Sequence, residues 1–282
     1  MTTQSENKDV AYLVLAHEDA TMINILLSRL VRTGTVFLHI DKGSDIKPSA
    51  IMPLPNLHIF SEITVKWGGW SVVQATQLLA QEAIGRGFQR LTLLSGVSYP
   101  IVSDEKLKEM AQSPSDFFEA NLIEINKVSK SFMRRFTTRH RSYKLANSTF
   151  ARILRRASRE FFLLMPRLNP SRELASLQLT IGSQWWSVKS STYQKSMEIL
   201  STNSRIENYF EKIECSDESF FGTLFLAATN NHINQGTTFV KWGDKGRPIS
   251  LTALDEDASK KYFFARKINS DQSELIGELD TW

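Results

Sequence analysis

An acidic side chain stands at a predicted helix start, where it could take part in catalysis. Glu218 follows a loop of residues 215–217 and precedes an apolar run, and the pattern predicts a helix over residues 218–228. A carboxylate presented there towards a cleft could remove a proton as a general base. Acidic residues in the first turn of a helix also interact favourably with its dipole. Taken alone, the sequence leaves both roles open for Glu218.

Basic residues near the carboxyl end of the chain could bind a phosphorylated ligand. Arg266 and Lys267 are adjacent in sequence. Arginine offers a planar fork to phosphate oxygens, and lysine offers a compact charge. Arg247, in a predicted turn over residues 246–248, could make a third phosphate contact. Each of the three could instead be an ordinary solvated base.

The first half of the chain alternates short apolar runs with helical patterns, which is typical of an α/β fold with a mostly parallel central sheet flanked by helices. The pattern predicts strands at residues 11–16, 35–41, 57–60 and 90–94, and helices at about 22–30 and 72–84. His17 and Asp41 end the first two strands. Ligands of open α/β sheets bind at the carboxyl ends of the strands, so both residues are expected near a binding site. His17 could alternatively cap the helix that follows it.

The second half predicts further short elements. They are strands at residues 117–119, 184–189 and 238–242 and a helix at 191–201. Glu119 ends the first of these strands. The second contains Trp185 and Trp186, and alternation along a strand would turn only one of the two towards a cleft and the other into the core.

Composition restricts the class of protein. The chain has 282 residues, of which 41% are hydrophobic and 23% charged, as in ordinary globular proteins. No apolar run approaches the roughly 20 residues of a membrane span, and the polar first ten residues are unlike a signal peptide. The single cysteine, Cys215, favours a reducing compartment. A cytoplasmic location and one domain over residues 1–282 are therefore expected.

Basic residues are concentrated in a predicted insertion at about residues 126–172, although the net charge is only +4. Within it, Arg152, Arg155, Arg156 and Arg159 recur at helical spacing beside large apolar residues over 150–164. This segment could contact an anionic membrane peripherally, at the inner face of the membrane, or its apolar residues could pack against the sheet. An acidic saccharide is another candidate partner. The absence of any helix-turn-helix, zinc-finger or RNP-like pattern disfavours nucleic acid.

Seven motifs occur in an order that resembles one known family, the core-2/I-branching β-1,6-N-acetylglucosaminyltransferases and peptide O-xylosyltransferases. They extend from residue 16 to residue 268. The motifs are AHE (16–18), HIDKG (39–43), KWGGWS (66–71), LLSGVSYPI (93–101), GSQWW (182–186), DESFF (217–221) and FFARKI (263–268). One departure is Ser98, where such family members usually carry Asp. The short, cysteine-poor chain resembles a bacterial relative, for which surface polysaccharide synthesis is expected.

The resemblance implies a GT-A type fold and an inverting transfer of a sugar, GlcNAc or xylose first, from a UDP-sugar to a hydroxyl of a glycan or glycolipid. It implies that Glu218 is the general base. It also implies that no divalent metal or other cofactor is needed, because Arg266 and Lys267 would stabilise the leaving UDP. The one Asp-x-Asp pattern, residues 255–257, lies in a predicted helix near the carboxyl terminus and is typical of solvated acids.

Further residues gain expected roles through the resemblance. Asp41 and His17 would bind the uracil or ribose of the donor, and Trp67 with Gly68 would approach the donor closely, unless Trp67 is a core residue. Glu119 and one of the two tryptophans, Trp185 or Trp186, would bind the acceptor. Two alternatives stay open, namely a different donor sugar and a catalytically silent glycan-binding relative. No GxGxxG or Walker-type loop is present, which disfavours dehydrogenases and P-loop enzymes.

Overall fold

The computed structural model describes residues 8–66, 68–124, 127–140, 161, 165–244, 246–254 and 256–281. The strands of the described part are β1 (Val10–Ala16), β2 (Thr35–Ile40), β3 (Leu57–Phe60), β4 (Arg90–Ser95), β5 (Tyr99–Pro100), β6 (Asp116–Phe118), β7 (Asn121–Leu122), β8 (Thr180–Ile181), β9 (Ser187–Lys189), β10 (His232–Asn234), β11 (Thr238–Val240) and β12 (Phe264–Arg266). The α-helices are Ala20–Leu30, Ser71–Gly85, Asp104–Gln112, Lys130–Thr137, Pro170–Glu173, Ser190–Ser201, Ser204–Phe210, Phe220–Ala228, Glu256–Lys261 and Ser273–Leu279. Two short 3-10 helices cover Pro48–Ala50 and Ser216–Glu218.

A seven-stranded sheet in the order β10-β6-β9-β4-β1-β2-β3 forms the centre of the fold. Strand β1 pairs in parallel with both β2 and β4, so that Leu13 lies opposite Phe37 on one side and Leu93 on the other. Only β9 runs antiparallel to its neighbours in this sheet. The predicted α/β architecture with a mostly parallel central sheet flanked by helices is therefore confirmed.

Both faces of the sheet are covered, which explains why its central strands are continuous apolar runs. Alternate residues of β1 enter different cores. Leu13 packs in the core that contains Val73 of the helix Ser71–Gly85. Its neighbour Val14 packs in the core that contains Leu26 of the helix Ala20–Leu30.

Two predicted elements differ from the observed ones at the places that matter for function. The strand predicted at 184–189 is limited to β9, so both tryptophans precede it. The helix predicted at 218–228 begins at Phe220, and Glu218 belongs to the 3-10 helix before it. The two helices are separated by Ser219, whose φ of −128° is not helical.

The basic segment is described only in part. The helix Lys130–Thr137 belongs to it, whereas the predicted arginine face at 152–159 lies outside the described residues. No helix in the described part of the chain combines the length and the apolar composition that crossing a membrane requires.

Candidate active site

A cavity of about 530 Å³ lies where several strand ends meet. Glu119 directly follows β6, Asn234 ends β10, and Arg266 ends β12. The same cavity is lined by Trp185 and Glu218. The structure therefore brings together four of the residues singled out from the sequence, namely Glu119, Trp185, Glu218 and Arg266.

The carboxylate of Glu218 lines the cavity and is bound by an arginine. Its Oε2 accepts a hydrogen bond from Nη2 of Arg135 at 2.7 Å. Burial alone would lower the pKa of Arg135, but this hydrogen bond and the charge of Glu218 outweigh it and raise that pKa. Ser219, at the start of the helix Phe220–Ala228, makes no side-chain capping bond. The carboxylate of Glu218 is thus engaged across the fold with Arg135.

Backbone hydrogen bonds fix the loop that carries Glu218. The amide of Cys215 donates to the carbonyl of Gly68 at 3.0 Å, and the amide of Gly182 donates to the carbonyl of Glu218 at 2.9 Å. Cys215 and Gly68 both have positive φ, at 49° and 69°. The loop is thereby tied to the KWGGWS and GSQWW segments at once.

A second carboxyl group, Asp217, lies directly beside Glu218 and is partly buried, with its Oδ1 shielded from solvent. Burial, reinforced by the negative charge of Glu218, raises the pKa of Asp217 to about 7. Its Oδ1 and the hydroxyls of Ser216 and Ser219 have no hydrogen-bond partner among the described residues. Asp217 is therefore largely neutral below pH 7, and of these two neighbouring carboxyl groups only Glu218 lines the cavity.

Glu119 is held in place by two hydrogen bonds. Its Oε2 accepts from the amide of Ser183 at 3.0 Å, and its Oε1 accepts from Nδ2 of Asn121 at 2.6 Å. The segment that carries Ser183 approaches so closely that a Cβ on Gly182 would lie 2.1 Å from the carbonyl oxygen of Glu119. Only glycine permits this contact.

Neutral amide side chains form a polar part of the cavity wall. Asn121, Gln184, Asn234 and Gln235 all line it. The orientation of Asn234 is fixed because its Oδ1 accepts from the amide of Ala120 at 2.8 Å. Amides offer both donors and acceptors, so this wall can hydrogen-bond to hydroxyl groups without demanding a charge.

Among the described residues that line the cavity, Arg266 is the basic one. Its guanidinium carbon lies 4.8 Å from the centre of the Trp185 ring, within the range of a cation–π interaction. Burial lowers the pKa of Arg266 to about 10, against the opposing effect of Glu18, so it remains charged at neutral pH. Its Nε has no hydrogen-bond partner among the described residues. Trp186, by contrast, packs in the core against Phe221 and Phe225, so only Trp185 reaches the cavity.

Lys267 and the end of β1 form a charged group beside Arg266. Nζ of Lys267 donates to Oε1 of Glu18 at 2.6 Å, and this bond holds the pKa of Glu18 below its ordinary value. His17 lies 3.8 Å from the same oxygen. The capping role considered for His17 belongs to Asp19, whose side chain accepts from the amide of Met22 at 2.9 Å.

Asp41 stands at the end of β2, as expected, and holds the neighbouring loops. Its Oδ1 accepts from the amides of Gly43 and Val65, each at 2.8 Å. Nearby, His39 is buried, its Nε2 accepts from the amide of Ile63 at 3.2 Å, and burial lowers its pKa. Asp41 therefore shapes the loop wall at this strand end.

The remaining predicted positions lie elsewhere. Trp67 is outside the described residues, and Gly68 contacts the loop of Cys215. Arg247 is exposed in its turn, where its carbonyl accepts from the amide of Gly243 at 2.9 Å. Ser98 is fully buried, and its hydroxyl accepts from the amide of Ser95 at 3.2 Å, which gives this departure from the family pattern a structural role.

No three His, Cys, Asp or Glu side chains come together as a metal site would require, as far as the described residues extend. Of the acidic run 255–257, Asp257 forms an ion pair with Lys260 at 2.8 Å. Asp255 is outside the described part of the chain.

Several site residues escaped sequence reasoning. Arg135 is one, and its basic neighbours in sequence give no sign that it reaches Glu218. The amides Asn121 and Asn234 and the exposed Trp242, which also lines the cavity, are others. Of these missed residues, only Glu18 lies within a family motif, AHE, which could have pointed to it.

An α/β sheet with a polar cavity beyond its strand ends, lined by carboxylates and a partly buried arginine, is the architecture of a ligand-binding α/β enzyme. Residues 10–264 match the family model of the Core-2/I-Branching enzyme. The chain therefore belongs to the Core-2/I-branching enzyme family, as its seven motifs predict, and is a glycosyltransferase. Such a family implies a nucleotide-sugar donor and a glycan acceptor in general.

No curated protein sequence matches the chain. Among solved structures, a 4-diphosphocytidyl-2C-methyl-D-erythritol synthase is similar with a TM-score of 0.39 and 6% identity, over 89% of this chain and 96% of that chain. A mannose-1-phosphate geranyltransferase from Thermus thermophilus has a TM-score of 0.32 and 13% identity, over 73% of this chain and 68% of that chain. At these scores neither likeness carries a functional argument.

Proposed function

We propose that this glycosyltransferase moves a sugar, GlcNAc or xylose first, from its UDP form to a hydroxyl of a glycan or glycolipid, with inversion and without a divalent metal ion. The observation that carries the proposal is that a carboxylate, Glu218, and a partly buried arginine, Arg266, line the same cavity. An inverting transfer needs a base for the acceptor and positive charge for the leaving group. Glu218 and Arg266 are the candidates for these two tasks.

The reaction is a single displacement. The acceptor oxygen attacks the anomeric carbon while its proton passes to Glu218. The bond from that carbon to the UDP oxygen breaks, and its electron pair leaves with the diphosphate. Arg266, and Lys267 after exchange of its bond to Glu18, stabilise that developing charge. Attack opposite the leaving group inverts the configuration.

The acceptor would bind against the amide wall and Glu119. Of these groups, Asn121, Asn234 and Glu119 are oriented by hydrogen bonds to the backbone or to one another. The wall suits a hydroxyl-rich sugar, because amides and a carboxylate can together accept and donate to several hydroxyls. Trp185 offers an apolar ring at the same cavity.

The test is UDP release from a panel of UDP-sugars in the presence of excess EDTA. We expect the parent protein to release UDP from UDP-GlcNAc or UDP-xylose. In Glu218→Gln the rate of UDP release should fall by roughly 100-fold or more. The affinity of this variant for UDP should stay within a few-fold of the parent, because the base acts on the acceptor. Glu214→Gln, a change at a neighbouring exposed acid, is the matched control and should behave as the parent.

Three results would contradict the proposal. Retention of more than half the activity in Glu218→Gln would remove Glu218 from the role of base. A strict requirement for added Mn²⁺ or Mg²⁺ would overturn metal independence. Binding of glycans without UDP release from any UDP-sugar would instead favour the silent glycan-binding alternative.

A further inference from the structure

The ion pair between Arg135 and Glu218 joins the cavity to a helix of the basic segment. Nη2 of Arg135 and Oε2 of Glu218 are 2.7 Å apart, and their side chains are 29% and 34% exposed. Glu218 lines the cavity and Arg135 does not. Arg135 therefore contacts the carboxylate from outside the space that a substrate would occupy.

The helix that carries Arg135 is firmly anchored. Lys130–Thr137 is capped by Ser129, whose hydroxyl accepts from the amide of Phe132 at 3.2 Å. Phe136, next to Arg135, is fully buried, and its carbonyl accepts from the hydroxyl of Tyr209 at 3.0 Å. A guanidinium mounted on such an element has a defined position relative to the loop of Glu218.

Stability gives little reason for this pair. Ion pairs between partly exposed side chains contribute little to folding, because water screens them and two long side chains lose freedom. Among the residues that the structure describes, the acidic and basic side chains beside Glu218 are Arg135 from the helix and Asp217 from its own loop, and Asp217 is mostly neutral below pH 7. Arg135 is thus the charged group that holds the orientation of the Glu218 carboxylate.

We infer that Arg135 is a positioning residue for Glu218. It binds one oxygen of the carboxylate and so sets the direction of the other oxygen, which receives the acceptor's proton. This inference rests on the proposed role of Glu218 as base. It also gives the basic segment a function within the active site, whereas the sequence offered an anionic membrane or an acidic saccharide as candidate partners of that segment.

The test uses donor hydrolysis, in which water replaces the glycan acceptor, so that any contact of Arg135 with a glycan cannot affect the result. UDP release from UDP-GlcNAc or UDP-xylose is measured for Arg135→Gln, Arg135→Lys, Arg135→Ala and Arg134→Gln, and for Glu218→Gln with and without Arg135→Gln. Arg134 is the matched control, since it is the exposed neighbour on the same helix. Thermal unfolding confirms that each variant is folded.

We expect Arg135→Gln to lower kcat by roughly 10- to 100-fold, the scale of a misplaced catalytic group, with KM for the donor within about twofold. Arg135→Lys should recover part of the rate because it restores a positive donor. Added guanidinium ion at millimolar concentration should partly restore Arg135→Ala. In Glu218→Gln, removal of Arg135 should cause no further loss, because both act through one carboxylate.

Other outcomes separate the inference from the proposed function. Parent-like hydrolysis in Arg135→Gln, together with an inactive Glu218→Gln, overturns the positioning role alone. An equal loss in Arg134→Gln also overturns it, since the effect would then come from the charge of the helix. Further loss on combining Arg135→Gln with Glu218→Gln would assign Arg135 an action independent of Glu218. An active Glu218→Gln would refute the proposed role of Glu218 as base, on which this inference rests.

Discussion

The guanidinium of Arg266 lies over the ring of Trp185, 4.8 Å from its centre, at the wall of the cavity. Arg266 ends β12, and Trp185 precedes β9, so the contact joins two sheets of the fold. Because Arg266 is only partly exposed and this burial lowers its pKa, the ring replaces part of the hydration that a guanidinium would otherwise have. The aromatic ring therefore fixes the position of the Arg266 guanidinium, to which we assign the stabilisation of the leaving UDP.

Replacing the ring should weaken nucleotide binding. We expect Trp185→Leu to raise the Kd for UDP by about 2- to 30-fold, since a cation–π interaction contributes about 0.5–2 kcal/mol. Trp185→Phe keeps an aromatic face and should retain most of the affinity. Titration calorimetry with UDP measures the effect. Equal affinity of the parent and of Trp185→Leu would show that Arg266 does not need the ring.

Loss of the Lys267 ammonium should also lower affinity for UDP. A hydrogen bond to a charged group contributes about 1.5–3 kcal/mol, and the existing bond to Glu18 offsets part of it, so we expect Lys267→Ala to raise Kd by roughly 5- to 20-fold. Lys260→Ala, at an exposed lysine paired with Asp257, is the control. Affinity that falls equally in both variants would indicate a general effect of charge and not a phosphate contact.

The raised pKa of Asp217 predicts a pH dependence of stability. The folded protein keeps a proton on Asp217 up to a pH of about 7, whereas the unfolded chain releases it near the ordinary pKa of 3.8. The folded state thus binds more protons over this range, and stability should fall as pH rises from about 4 to 7. In Asp217→Asn this contribution is absent.

The measurement is Tm against pH for the parent and Asp217→Asn, because titrations shared by both proteins cancel in the difference. Asp217→Asn should gain stability relative to the parent as pH rises from about 4 to 8. A difference that stays constant over this interval would mean that Asp217 ionises normally in the folded protein.

The close approach at Gly182 predicts that any side chain there is destabilising. A Cβ would lie 2.1 Å from the carbonyl oxygen of Glu119, and backbone atoms cannot move aside as a flexible side chain can. We expect Gly182→Ala to lower the free energy of unfolding by roughly 1–3 kcal/mol or more. Gly277→Ala, on a helix with open space around the added methyl, should be neutral or stabilising by up to about 1 kcal/mol. Denaturant unfolding of both variants tests the contrast.

Local sequence patterns predict much of this fold. The strands at 11–16, 35–41 and 57–60 are close to the observed β1, β2 and β3, because continuous apolar runs are required where both faces of a parallel sheet are covered. Short elements were less predictable. The run 184–189 has the composition of a strand, but only its last three residues, which form β9, pair in register with β4.

Site residues were predictable where a motif or a strand end marks them. Glu218, Arg266, Glu119 and Trp185 carry such marks, and the cavity brings them together. Arg135 and Asn234 do not, because their roles depend on contacts across more than 80 and more than 100 residues of chain, respectively. Charged and amide side chains are common on protein surfaces, and only the folded structure distinguishes Arg135 and Asn234 from ordinary surface residues of the same types.

The hydrogen bond from Cys215 to Gly68 has a consequence for protein engineering. Both residues adopt a positive φ, and a Cβ on Gly68 would already touch Sγ of Cys215 at 3.5 Å. The backbone conformations of the two loops therefore depend on each other, although the loops lie far apart in the chain. Loop grafting between relatives, for instance to alter donor choice, therefore has to transfer the segments around positions 68 and 215 together. A foreign loop at one position would contact a native loop whose backbone conformation does not match it.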